Sequence, residues 1–162
     1  MPLSNLSTAL FVKNIKVSRA FYTKILDQEI SLDFGKNIIF KSGFSIWEIS
    51  RSHIITQTLG YDKITDKSSV RNEIYFETEN IEMVYEKLKS EPIEFLHHLH
   101  EEDWGQRTVR FFDPDRHLIE IGESLKEFVM RFYKHGFTPN QISEKTHVPV
   151  EHVELIVRNS GN

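Results

Sequence analysis

The densest group of side chains that could do chemistry lies between residues 97 and 107. In order it reads His97-His-Leu-His100-Glu-Glu-Asp-Trp104-Gly-Gln-Arg107. An imidazole can bind a metal or transfer a proton near neutral pH. Because side chains alternate along a strand, His98 and His100 are expected on one face and His97 on the other. The spacing alone does not choose among the three, and histidines followed by acidic residues are also typical of a solvated rim.

An arginine pair follows on the predicted strand 106–112. Arg107 and Arg110 lie three positions apart, so their side chains point to opposite faces and only one of them faces a cavity. We select Arg107, whose guanidinium could hold a carboxylate or enolate substrate through two hydrogen bonds. A structural ion pair of Arg107 with Glu101 or Glu102 is an equally good explanation.

Aromatic and amide side chains supply candidate pocket walls. Trp47 and Trp104 could form aromatic walls of a substrate pocket, although packing in the core is the usual fate of tryptophan. Gln106 is assigned to the same pocket. No glycine-rich phosphate loop and no Gly-x-Ser-x-Gly elbow is present, so a nucleotide-dependent or serine-hydrolase mechanism has no support.

The elements that must position these residues occur twice. Phe11-Val-Lys-Asn14-Ile15 runs from an apolar stretch into a helix, and Tyr75-Phe-Glu-Thr-Glu-Asn80-Ile81 does the same 66 positions later (80 − 14). Each copy continues through short alternating strands, which close with Trp47-Glu48-Ile49 and with Ile119-Glu120-Ile121. A chain built from two related halves tends to form its pocket where equivalent positions converge.

Composition narrows the function classes. A formal net charge of −4 argues against a protein that binds nucleic acid through its phosphates. The chain has no cysteine, which removes disulfides, thiolate metal sites and cysteine nucleophiles. No apolar run is long enough for a membrane span, and the first residues do not resemble a secretory signal, so we expect a cytoplasmic protein without a membrane partner.

The last part of the chain departs from the repeat. Helical patterns cover residues 125–135, 140–146 and 149–157, and Thr138-Pro139 is a typical helix start. Short helices joined by tight turns resemble a helix-turn-helix. From Ser124 to Asn162 there are five Lys/Arg and four Asp/Glu, whereas DNA recognition normally brings a basic face. We therefore favour an appendage that packs or stabilises a dimer over one that contacts nucleic acid.

Two tandem β-α-β-β-β modules, with Asn14-Ile15…Phe21-Tyr22 in the first and Asp113-Pro-Asp-Arg-His-Leu-Ile-Glu120 in the second, resemble the vicinal-oxygen-chelate superfamily. Its members include glyoxalase I, the extradiol dioxygenases and the bleomycin- and fosfomycin-resistance proteins. The resemblance implies an α+β fold in which the modules form a cupped mixed sheet, a homodimer, and a divalent metal in the cup. It does not fix a reaction.

The resemblance also sets the expected domain boundaries. It covers about residues 5–123, and the predicted glyoxalase-like domain is 1–123. The modules span about 5–50 and 72–123, with a linker at 51–71. A three-helix extension follows at 124–162.

In metal-dependent relatives the ligands lie on the first and last strands of each module. Carried onto this chain, those positions are Ser7, Glu48, Glu73 and Glu120, of which the three glutamates are the expected metal ligands and Ser7 is assigned to the substrate pocket. Glyoxalase I has histidine at two of these positions, where this chain has Ser7 and Glu73. The set in this chain therefore holds oxygen donors only. Mn, Mg, Fe, Ni or Zn is the metal that the resemblance implies, and oxygen ligands favour Mg or Mn among these. One carboxylate could act as a base, with Glu120 and Arg107 as catalytic candidates.

Each position also has a structural explanation. Glu48 could be solvated at a sheet edge, and Glu73 could form an ion pair with Arg71 or Arg107. A related glyoxalase-like branch carries histidine at the position of His97, which selects His97 as the third catalytic candidate.

Three functions remain open at this point. The first is a metal-dependent lyase, isomerase or dioxygenase that acts on a small oxygen-rich substrate. The second is a metal-free protein of bleomycin-resistance type that binds or sequesters a small molecule. In the third, the helical extension contacts DNA and the cup acts as its sensor.

Overall fold

The computed structural model describes residues 7–68 and 72–160 of the chain. The chain divides into two compact units. The N-terminal unit comprises Met1–Asn72 and Phe112–Leu118, and the C-terminal unit comprises Glu73–Phe111 and Ile119–Asn162. Arg71, which the sequence offered as a partner of Glu73, lies outside the described residues.

The first module forms a four-stranded sheet in the N-terminal unit. Its elements are β1 (Thr8–Phe11), α1 (Ile15–Ala20) continued by a π-helical turn (Phe21–Ile25), β2 (Ile30–Asp33), β3 (Asn37–Phe40) and β4 (Phe44–Trp47). The strand order is β1-β4-β3-β2. β1 runs parallel to β4, and β3 is antiparallel to both of its neighbours, so the sheet is mixed.

Capping and ring packing fix this module. The Asn14 side chain accepts hydrogen bonds from the backbone N–H groups of Lys16 and Val17, which starts α1. The fully buried Tyr22 ring lies 5.6 Å from Phe40 and 5.2 Å from Phe44, centroid to centroid. The connection that follows, predicted only as a linker, contains α2 (Ile54–Leu59) and α3 (Tyr61–Ile64).

The second module repeats the pattern in the C-terminal unit. Its elements are β5 (Glu73–Thr78), α4 (Ile81–Lys89), β6 (Glu94–Glu101), β7 (Arg107–Phe112) and β8 (Leu118–Glu123). The strand order β5-β8-β7-β6 matches that of the first sheet, and Asn80 caps α4 as Asn14 caps α1. The predicted α+β fold of two tandem modules followed by helices is therefore confirmed.

The C-terminal helices α5 (Leu125–Lys134), α6 (Pro139–Thr146) and α7 (Val150–Ser160) belong to the same compact unit as the second module. They share an apolar core formed by Phe128, Val129, Phe132, Ile142 and Val153. Thr138 and Gln141 form a reciprocal capping box at the start of α6. At Gly105, whose φ is +96°, a Cβ atom would come within 2.6 Å of the Phe132 ring. Glycine is thus required there by both conformation and packing.

Over the ranges that the structure describes, no helix is both long enough and apolar enough to cross a membrane.

Candidate functional site

The second sheet brings together one polar side chain from each of its strands. In strand order these are Glu73 (β5), Glu120 (β8), Arg110 (β7) and His97 (β6). Glu102, directly after β6, joins them. We call these five residues the Arg110 cluster.

Arg110 lies at the centre of the cluster. Its Nε donates to Glu73 Oε2 at 3.2 Å, and its Nη1 donates to Glu102 Oε1 at 2.6 Å and to His97 Nε2 at 3.1 Å. Its Nη2 forms an ion pair with Glu120 Oε2.

Glu120 is the carboxylate of the cluster whose pKa is raised. Its side chain is 5% exposed. Burial raises the pKa of Glu120, Arg110 lowers it, and the nearby carboxylate of Glu73 raises it again, with a net upward shift. At Glu102 burial also works to raise the pKa, but hydrogen bonds from Arg110 and Thr108 outweigh burial and lower the pKa.

The formal charges of the cluster do not cancel. The carboxylates of Glu73, Glu102 and Glu120 face the single guanidinium of Arg110. Two negative charges are left without a cation in the cluster when all three carboxylates are ionised. Burial is the largest cause of the raised pKa of Glu120, and the negative charge of Glu73 adds to it.

Aromatic side chains stand beside this charge. Gln106 Nε2 donates to the Tyr75 hydroxyl at 2.8 Å, and Trp104 Nε1 donates to Gln106 Oε1 at 3.3 Å. Tyr75 is 44% exposed and Trp104 38% exposed. Burial, and the charges of Glu77 and Glu120, raise the pKa of Tyr75 to about 12, against a hydrogen bond from Gln106 that lowers it. Tyr75 therefore remains a neutral phenol near neutral pH.

Gly122 makes the approach of these side chains possible. A Cβ atom at this position would lie 2.8 Å from Gln106 Nε2 and 3.1 Å from the Tyr75 hydroxyl. The bare backbone of β8 at this point lets Gln106 reach across to Tyr75.

Arg107, the arginine selected from the sequence, takes part in a different cluster. It contacts Glu123 through Nε at 2.9 Å and forms an ion pair with Glu82 on α4. None of its predicted structural partners binds it among the described residues: Glu101 pairs with Arg131, and Glu73 and Glu102 pair with Arg110. Arg107 and Arg110 have different partners, as expected for side chains on opposite faces of one strand.

His97 makes the contact with Arg110, and it also uses Nδ1 to donate to the His98 carbonyl at 2.7 Å. His98 packs instead against Phe95, at 4.9 Å between ring centroids. The His100 ring lies 5.8 Å from His97, closer than strict alternation along a strand predicts.

Three of the selected residues lie in the N-terminal unit. The Ser7 hydroxyl donates to the Gly43 carbonyl at 2.9 Å, and Trp47 packs against His53 at 5.0 Å between ring centroids. Glu48 accepts from the backbone N–H of Ile15 at 2.9 Å and pairs with Lys36 at 3.1 Å. The hydrogen bond from Ile15, then that from Lys36, lowers the pKa of Glu48 against a small effect of burial. Glu48 thus accepts a hydrogen bond from the first residue of α1.

The sequence prediction missed Arg110, Glu102 and Tyr75 as members of a site. Strand alternation could have identified Arg110, because residues 106, 108 and 110 share one face. If Gln106 faces the pocket, Arg110 faces it too and Arg107 does not.

The arrangement does not fit a divalent metal. The three carboxylates converge on the guanidinium of Arg110 rather than around a free centre. Over the described ranges, no group of three or more His, Cys, Asp or Glu side chains is placed to hold a metal ion.

Comparison with known proteins identifies the family. The model of the glyoxalase-like domain matches residues 6–126. Among solved structures, a protein of unknown function from Agrobacterium tumefaciens is 32% identical, with 77% of this chain and 97% of that chain covered and a TM-score of 0.62.

Two other structures share the fold at 21% identity. Lactoylglutathione lyase from Agrobacterium tumefaciens covers 76% of this chain and 95% of its own length, with a TM-score of 0.55. A genomically encoded fosfomycin resistance protein from Listeria monocytogenes covers 78% of this chain and 98% of its own length, with a TM-score of 0.56. No curated protein matched. With three quarters of its length matched by the family model, this chain belongs to the glyoxalase-like domain family of the vicinal-oxygen-chelate superfamily.

Proposed function

We propose that this protein is a metal-free binding protein for a small organic cation. The observation that carries the proposal is the Arg110 cluster, in which three carboxylates share one guanidinium. A site with excess negative charge attracts a cation. This proposal develops the metal-free, bleomycin-resistance-type alternative.

The neighbouring aromatic side chains favour an organic cation over a bare ion. Tyr75 and Trp104 are both more than one third exposed, and Tyr75 shares a strand face with Glu73. A ring face beside a carboxylate is a common way to bind an ammonium or guanidinium group. Gln106 fixes the Tyr75 hydroxyl and the Trp104 indole N–H, so the two rings are held in place before a ligand arrives.

Arg110 explains why a metal is the weaker occupant. A divalent ion bound by Glu73 and Glu120 would have to displace a guanidinium that makes contacts with all three carboxylates and with His97. An organic cation can instead bind beside Arg110, at the more exposed Glu73, whose side chain is 39% exposed.

The proposal is tested by titration with benzyltrimethylammonium in a Trp47→Phe background, in which Trp104 is the remaining source of tryptophan fluorescence. Glu73→Gln should weaken binding about tenfold, the usual effect of losing one contact with a charged group. Glu154→Gln makes the same change of charge on the exposed face of α7 and should leave affinity unchanged. Equal affinity of the two variants, or no saturable binding by the wild-type protein, would contradict the proposal.

A second candidate is a divalent-metal-dependent lyase, isomerase or dioxygenase, with Glu120 and His97 as the catalytic candidates in this cluster. It is favoured by the two oxygen donors, Glu73 and Glu120, on adjacent strands. Metal analysis of the purified protein after supply of manganese, magnesium, iron, nickel or zinc distinguishes the two. Stoichiometric metal that is lost in Glu120→Gln would favour the enzyme and overturn the metal-free proposal.

We also propose that the protein is a homodimer, as its family resemblance implies. Light scattering after size exclusion should then give twice the chain mass of 19.1 kDa. A mass of one chain across the accessible concentration range would contradict this assembly.

A further inference from the structure

The turn between β7 and β8 contains a second hydrogen-bonded group, centred on Asp113, which is separate from the Arg110 cluster. Asp113 is 3% exposed. Its Oδ2 accepts from the Tyr22 hydroxyl at 2.9 Å and contacts His117 Nδ1 at 2.9 Å. Its Oδ1 accepts from the backbone N–H groups of Asp115 at 2.9 Å and His117 at 2.8 Å. All of these residues belong to the N-terminal unit.

These contacts assign the tautomer of His117. Both oxygens of Asp113 act as acceptors, so Nδ1 of His117 is the donor in their contact. In the neutral ring Nε2 then carries the lone pair. No described residue binds Nε2, and the His117 side chain is 23% exposed. An oriented imidazole thus presents a free acceptor.

A cleft of about 610 Å³ lies at this position in the N-terminal unit. One part of its lining is apolar, with Leu10, Phe11, Leu59 and Ile64, and the other part is polar, with Thr58, Asn72 and His117 among its residues. The size falls in the range of small-molecule sites. Lys63 and Asp66 lie on the same lining with opposite charges, which favours a neutral occupant over an ionic one.

We infer that this cleft is a second ligand site, which takes a mostly apolar neutral molecule with a phenolic or enolic hydroxyl group that donates to Nε2 of His117. The apolar walls accept the body of such a molecule. The weakly acidic hydroxyl is the matching donor for an imidazole lone pair, and Asp113 holds the ring in the orientation that this hydrogen bond needs.

The hydroxyl requirement can be tested with a matched pair of probes. β-Naphthol and its methyl ether, β-methoxynaphthalene, have the same ring system, but only the naphthol can donate. At neutral pH the wild-type protein should bind the naphthol about tenfold more tightly, the effect of one hydrogen bond. Equal affinity for the two probes would overturn the inference.

Variants then locate the site. His117→Phe removes the acceptor and should remove the preference for naphthol. His152→Phe, the same change on the exposed face of α7, should keep the preference. A preference that survives in His117→Phe would overturn the inference.

Leu59→Trp places a larger side chain on the lining of the cleft and leaves Asp113 and His117 unchanged, so it tests the site even if His117→Phe does not fold. Leu59 is 54% exposed, and the substitution should abolish binding of both probes. Unchanged binding would overturn the inference. Glu73→Gln should leave naphthol affinity unchanged, which separates this site from the proposed cation site.

Discussion

Glu123 offers the sharpest test of how charge is balanced in the C-terminal unit. It is 2% exposed and accepts hydrogen bonds from two arginines. Arg107 donates through its backbone N–H at 2.9 Å and through Nε at 2.9 Å, and Arg131 donates through Nε at 3.1 Å and Nη2 at 2.9 Å. Glu123→Gln keeps the shape of the side chain but removes the charge that both guanidinium groups face.

The expected loss follows from that geometry. Removing one partner of a buried ion pair costs about 3–5 kcal/mol. The Arg107 and Arg131 side chains are 25% and 20% exposed, and water can partly solvate them, so we expect the lower end, about 3 kcal/mol. For a chain of 162 residues this lowers the melting temperature by about 6–12 °C.

The pH dependence of the loss has a definite sign. Burial works to raise the pKa of Glu123, but the hydrogen bonds from Arg107 and Arg131 outweigh it and lower the pKa. The stabilisation is therefore present above the ordinary glutamate value of 4.5 and is lost as the pH falls through the lowered value. The difference between wild type and Glu123→Gln should shrink over that acidic range.

Thermal unfolding monitored by circular dichroism gives the measurement, with Glu154→Gln as the control of equal charge change. Glu154 is exposed on α7, and its substitution should shift the melting temperature by no more than about 1–2 °C. If Glu123→Gln unfolds at the same temperature as Glu154→Gln at neutral pH, the assignment of Glu123 as a stabilising centre is refuted.

Three more outcomes are expected. Because the pKa of Glu120 is raised, the folded state loses stability as the pH rises from 4.5 through the raised value. Glu120→Gln should therefore have a higher melting temperature than wild type at neutral pH, and the same melting temperature as wild type at lower pH. Gly122→Ala should displace the Tyr75 ring, since the new Cβ would lie 3.1 Å from its hydroxyl, and titration should show weaker binding of benzyltrimethylammonium with little change in circular dichroism. Phe132→Ala should lower the unfolding free energy by about 3 kcal/mol in urea titrations, because Phe132 is 7% exposed in the helical core, whereas Tyr133→Ala, at 43% exposure, should change it far less.

Local patterns in the sequence were sufficient to predict most of the elements. Asn14 and Asn80 stand 66 positions apart and both cap helices, so the duplication could be predicted from capping and periodicity alone. The helix of residues 61–64 was missed because four residues offer too little periodicity to recognise.

The partners of the charged side chains could not be predicted from the same patterns. Arg107 and Arg110 have the same side chain and lie on one strand, yet Glu123 binds the first and Glu120 the second. The choice depends on the register between β7 and β8 and on the position of α5, which are long-range features. Glu48 illustrates the same limit, because its role at the start of α1 joins residues 33 positions apart.

β8 carries a buried carboxylate on each of its faces. Glu120 faces Arg110, and Glu123, three residues later, faces Arg107 and Arg131. A ligand that shifts β8 at the Arg110 cluster would therefore alter the distances around Glu123 and, through Arg131, the position of α5. Because both carboxylates lie on β8, we expect occupancy of the proposed cation site to change the hydrogen exchange of α5.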